Sequence, residues 1–111
     1  MTPIYKILRP SEWEQLDRDG QSPGAPVDVA DGFIHFSGAD TLQGTLDTWF
    51  TDGGPLVIAE ADADALGEAL KWEASRGGAL FPHLYAPLQR VHIIRHWTVE
   101  PDARGRYEPG L

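Results

Sequence analysis

The chain contains no cysteine, which excludes thiol nucleophiles, thiolate zinc sites and iron–sulfur clusters and fits a reducing compartment. Bases are scarce too. Nine Lys and Arg stand against 17 Asp and Glu, a formal charge of −8, so phosphate backbones and anionic membranes are repelled at long range and general nucleic-acid binding is not expected. No run approaches the ~18 apolar residues of a membrane span. The opening MTPIYKILRP has no cationic segment leading into an apolar core, so no membrane association and a cytoplasmic location are the expectations. The signatures GxGxxG, GxxxxGK with a following Ser or Thr, and HExxH are also missing, which removes Rossmann, P-loop and zincin readings together.

What is present describes an ordinary globular domain. The 111 residues suffice for one hydrophobic core and fall below the length at which chains divide, so a single domain over 1–111 is expected. Four Trp, three Tyr and four Phe can each bury roughly 150–250 Å² and supply much of a small core. Twelve Gly and nine Pro suit a loop-rich α+β fold.

Alternation predicts a strand over 3–8, with Ile4, Lys6 and Leu8 on one face and Tyr5 and Ile7 on the other. Ser11 with Glu14 has the capping-box spacing, predicting a short helix toward Gly20 with Trp13 and Leu16 inward. Residues 21–26, QSPGAP, read as a loop and Asp31-Gly32 as a turn. A strand over 33–37 then sets Phe33, His35 and Ser37 on one face and Ile34 and Phe36 on the core face. Asp40 with Gln43 predicts a second capped helix, carrying Leu42, Leu46, Trp49 and Phe50 at helical spacing until Asp52-Gly53-Gly54 stops it. Leu56 to Ala61 reads as a buried strand, and Asp62 or Asp64 begins a brief helix through Leu66 and Leu70. Residues 71–73 read as extended, 75–88 as an ordered loop with a short strand at 83–85, and 90–100 as the last long strand. The tail PDARGRYEPGL is expected to fray.

Three clusters set polar groups among apolar ones: 33–37, then Lys71-Trp72-Glu73 with Arg76, then Phe81-Pro82-His83-Leu84-Tyr85. Such groups are either satisfied internally or line a ligand site. His35, between Ile34 and Phe36, suits a satisfied core or edge residue as well as a catalyst. His83 and Tyr85 share a face of an extended segment and suit either a pocket or an anchor for the loop. Arg76, beside Gly77-Gly78, suits bidentate capture of a phosphate or carboxylate, or an ion pair with Glu73. His92 and His96 would stand about 13 Å apart on a strand rising ~3.3 Å per residue, too far to share a metal, and no metal site is expected. Arg90, His92, Arg95 and His96 read as a solvated strand face.

IYKIL near the start, DGFIHFS at 31–37, LKWEASRGG at 70–78 and FPHLYAPL at 81–88 together resemble the bacterial family catalogued as domain of unknown function 952. That family is similar in fold to the ADP-ribosyltransferases, and the resemblance implies a compact α+β arrangement of small mixed sheets with two or three short helices around a cleft. In active transferases the cleft holds NAD, which makes NAD the candidate cofactor. Where those enzymes carry an Arg or His on the first strand, this chain has Ile4-Tyr5-Lys6-Ile7. FIHFS, with His35 and Ser37, is the counterpart of the second-strand motif, and Glu73, ahead of Glu100, that of the catalytic glutamate. The implied activity is group transfer from NAD or a nucleotide-like ligand. In it Arg76 grips phosphate, His35 orients a ribose hydroxyl, Glu73 stabilises an oxocarbenium-like centre, and Ser37, His83 and Tyr85 contact the ligand. A non-catalytic ligand-binding domain and a protein-interaction module are the alternatives, and the oligomeric state is left open.

Overall fold

A computed structural model describes residues 1–111 apart from the side chain of Arg76. The first strand, β1 (Pro3–Leu8), lies inside a four-stranded sheet of order β4-β1-β5-β9, where β4 is Ser37–Gly38, β5 is Leu56–Asp62 and β9 is Ile93–Val99. Because side chains alternate along β1 and β5, this sheet feeds two cores. Ile4 and Leu8 join Val57, Ala59 and Ala61 in one, which also takes Leu16, Ile34, Phe36 and Leu84. Tyr5, Ile7, Leu56 and Ile58 form the other with Leu42, Leu46 and Tyr107. Lys6 shares the parity of Ile4 and Leu8, so its charged side chain is carried toward the first core and is buried.

The second sheet has the order β3-β7-β6 (Ile34–His35, Leu80–Leu84, Leu70–Ala74), and the third pairs β2 (Gln21–Ser22) with β8 (Leu88–Gln89). Every strand pairing is antiparallel, where mixed sheets were expected. Among the described residues four short α-helices appear in place of two or three: α1 (Pro10–Asp19), α2 (Pro26–Asp31), α3 (Leu42–Trp49) and α4 (Ala63–Leu66).

Several boundaries move for local reasons. Pro10 occupies the first turn of α1, and Glu12, not Glu14, accepts the Arg9 backbone N–H at 2.8 Å. The segment read as a loop and turn contains α2, started by Pro26 and closed by Gly32 in the left-handed conformation, the usual placing of Pro and Gly at helix ends. Gln43 does not cap α3; it donates to Asp47 and to the Tyr107 carbonyl. Leu42 and Leu46 are buried as expected, but Trp49 is exposed. Residues 90–92 form a 3₁₀ turn before β9 begins. The tail is held down: Tyr107 is buried and its hydroxyl donates to the Gly54 carbonyl at 2.6 Å, while Trp97 Nε1 donates to the Pro109 carbonyl at 2.8 Å.

The predicted strand over 33–37 divides at Phe36. Ile34–His35 pairs with β7 in one sheet and Ser37–Gly38 with β1 in the other, while the Phe36 N–H donates to the Pro82 carbonyl at 3.0 Å. This crossing brings the two sheets together at His35. Among the described residues no helix is long and apolar enough to cross a membrane.

Candidate functional site

The site is built on Asp28, whose carboxylate is wholly buried (0% exposed). The sequence Ala25-Pro26-Val27-Asp28 makes it so: Pro26 opens α2, and the acid two residues later turns back to accept the Ala25 N–H at 2.7 Å. Gly24, at φ +101°, lets the chain pass this carboxylate, since a Cβ there would stand 2.6 Å from Asp28 Cβ. The remaining acceptor capacity of Asp28 takes Lys6 Nζ at 2.8 Å, the His35 N–H at 3.0 Å and His35 Nδ1 at 2.6 Å. Burial, the largest single influence, opposes ionisation of Asp28, but the Lys6 charge and hydrogen bonds from Lys6 and His35 outweigh it and hold the carboxyl below its ordinary range.

A second carboxylate–histidine pair faces the first. His35 and His83 are register partners on β3 and β7, with ring centroids 5.5 Å apart. His83 Nδ1 lies 2.8 Å from Glu73 Oε1, which also accepts the Tyr85 hydroxyl at 2.7 Å. Those two bonds, Tyr85 foremost, lower the Glu73 pKa, and the same contact raises that of Tyr85. Phe33 packs on both histidines, at 4.6 and 4.2 Å between centroids. With Nδ1 bound to a carboxylate, each imidazole keeps Nε2 for other partners. Asp31 Oδ2 is 3.0 Å from Nε2 of His35. Nε2 of His83 has no protein partner among the described residues and, as no buried polar side-chain atom is left unpaired, it reaches solvent.

Both histidines border a cleft of about 570 Å³. Its polar lining includes Lys6, Ser37, Thr45 and Ser75, and its aromatic lining Trp49, Phe50 and Phe81. Of the residues expected at a site, His35, Ser37 and His83 therefore meet in one cavity. Glu73 reaches it through His83, and Tyr85 borders a separate hollow of about 330 Å³ alongside Phe33. The Arg76 side chain lies outside the described residues. Glu100 follows β9 and is exposed, away from the cleft lining. Arg90 pairs with Asp17 and Arg95 with Glu60. Among the described residues no group of three or more His, Asp or Glu side chains could hold a metal ion.

The profile of the family described as Protein of unknown function (DUF952) matches residues 7–96. The chain belongs to the DUF952 family. The DUF952 chain is also similar to solved structures of protein CC0527 from Caulobacter crescentus. The crystal structure is 47% identical, covers 96% of this chain and 94% of that one, and superposes with a TM-score of 0.93. The solution NMR structure is 48% identical, with coverage of 96% and 91% and a TM-score of 0.83. No curated protein matches.

Sequence reasoning missed Asp28, Asp31 and the role of Lys6 in this DUF952 domain. Asp28 had a signal: an acid two residues after a Pro that can begin a helix is placed to cap it. Lys6 had only its parity, a lone charge at an inward position of an apolar strand, which calls for a buried partner.

Proposed function

We propose that the DUF952 cleft binds a small nucleotide-like molecule, NAD among the candidates, and performs group transfer on it with His35 and His83 as the proton-handling residues. The observation that carries this reading is the pair of facing imidazoles, each held at Nδ1 by a carboxylate and both opening on one cavity. An imidazole fixed in this way is a ready general acid or base. The aromatic lining suits a flat ring, and Ser37 suits a polar group of a ribosyl unit. The likeness to ADP-ribosyltransferases that the sequence motifs imply makes NAD a member of the panel, and Arg76 is the proposed contact for the ligand's anionic group. Glu73 acts through His83 as a positioning residue, with Tyr85 supporting it.

A second reading, binding without catalysis, draws on Lys6, which stands where active transferases carry Arg or His and is committed to Asp28. Titration with NAD, ADP-ribose and mononucleotides, followed by thermal shift and amide NMR, tests the proposal. A ligand at a hundred times its dissociation constant adds about 2.7 kcal/mol of stability, with amide shifts at His35 and His83, and Arg76→Ala weakens it. Release of nicotinamide from NAD selects transfer, and shifts with the ligand unchanged select binding alone. No response to any member of the panel refutes both.

A further inference from the structure

The two histidine segments share a pattern. Phe33-Ile34-His35-Phe36-Ser37 and Phe81-Pro82-His83-Leu84-Tyr85 each place an aromatic ring two residues before the histidine and a hydroxyl two after it. Antiparallel register pairs His35 with His83, so Phe33 lies beside Tyr85, 5.2 Å between centroids, and Ser37 and Phe81 border the cleft together. The result is a local two-fold arrangement with both imidazoles at its centre. Their surroundings break the symmetry. Nε2 of His35 has a carboxylate oxygen of Asp31 3.0 Å away, whereas Nε2 of His83 meets solvent. Both nitrogens of the His35 ring thus face carboxylates, whereas the His83 ring keeps one nitrogen open.

We propose that His35 and His83 form an unequal acid–base pair that hydrolyses the five-membered cyclic phosphodiester of a single nucleotide, a nucleoside 2′,3′-cyclic phosphate. This rests on the nucleotide-like reading of the cleft and adds the reaction. Nε2 of His83 takes a proton from water as the water oxygen bonds to phosphorus. The bond from phosphorus to one ribose oxygen breaks, and that oxygen takes the proton from Nε2 of His35. One water is consumed, the product is a nucleoside monophosphate with one hydroxyl freed, and nothing is oxidised or reduced. The two rings return to their starting states by exchanging a proton with solvent. Lys6 borders the cleft with its ammonium paired to Asp28. A single nucleotide suits the volume of about 570 Å³, and a lone negative charge suits a chain of net charge −8 that repels a polyanion.

The test incubates the full chain with the four 2′,3′-cyclic mononucleotides and follows phosphorus by ³¹P NMR. The cyclic resonance is expected to give way to that of the monoester. His35→Ala and His83→Ala, each shown to be folded by amide NMR, slow this by about 10²–10⁴-fold, and added imidazole restores part of the rate. His83→Gln, which better preserves the packing of this nearly buried side chain, shows the same loss. Glu73→Gln lowers kcat with KM unchanged, as a positioning residue should, and Glu73→Asp recovers part of it. A cyclic nucleotide that shifts the His35 and His83 amides yet stays intact overturns the acid–base inference and leaves the binding reading in place. Failure of every nucleotide to bind overturns both. Hydrolysis undiminished in the histidine variants also overturns the inference.

Discussion

Replacing Asp28 with Ala removes the carboxylate that joins α2, β1 and β3, and the structure sets the size of the effect. The side chain is wholly buried and accepts from Lys6 Nζ, the Ala25 N–H and two donors of His35. Without it, the nearly buried Lys6 ammonium loses its counter-charge. Breaking a buried pair from one side costs about 3–5 kcal/mol, and the uncovered donors keep the loss in the upper part of that range. At about 4 °C per kcal/mol for a chain of this size, the melting temperature falls by about 12–20 °C. The assay is urea denaturation of Asp28→Ala, Lys6→Met and the double variant. The double variant should lose less than the sum of the singles, because the apolar Met no longer needs a partner. The pH dependence supplies a second check. The folded-state carboxyl is depressed, so its contribution is present above the unfolded value near 3.9 and disappears as the pH falls through the folded one. That acid-side loss should be reduced in Asp28→Ala. An unfolding free energy within about 1 kcal/mol of wild type would refute the buried pair.

Other expectations concern the second dyad and the cores. In Tyr85→Phe the Glu73 carboxyl loses the strongest influence depressing it, so its NMR titration midpoint should rise, and an unmoved midpoint would break the Tyr85–Glu73 assignment. Leu46→Ala, at a fully buried position of α3, should lose about 2–5 kcal/mol by chemical denaturation, and an unchanged midpoint would remove Leu46 from the core. Tyr107→Phe deletes the buried hydroxyl's bond to the Gly54 carbonyl and should cost about 1 kcal/mol, with faster amide exchange in the tail; identical exchange would mean that the tail is held by other contacts.

What the sequence determined by itself is whatever depends on near neighbours. The period-two alternation of β1 and β5 assigns Ile4, Leu8, Val57 and Ala59 to one core and Tyr5, Ile7 and Ile58 to the other. Helical spacing similarly buries Leu42 and Leu46. His35 and Ser37 line one cavity and Ile34 and Phe36 enter the core, as alternation predicts, although the strand divides at Phe36, which also borders the cavity. Helix starts were less legible, because Pro10 and Pro26 begin helices that Ser11 and a presumed loop concealed. Tertiary structure alone decided what each polar side chain meets. Lys6 is an isolated cation until α2 folds back with Asp28, and His83 is an ordinary strand histidine until β7 pairs with β3 and β6 brings Glu73 to it. Side-chain periodicity is a property of one strand, but the partner of a buried charge is set by where another strand docks. The chain therefore declared which groups turn inward, and the packing of its sheets joined them into two facing dyads on one cleft.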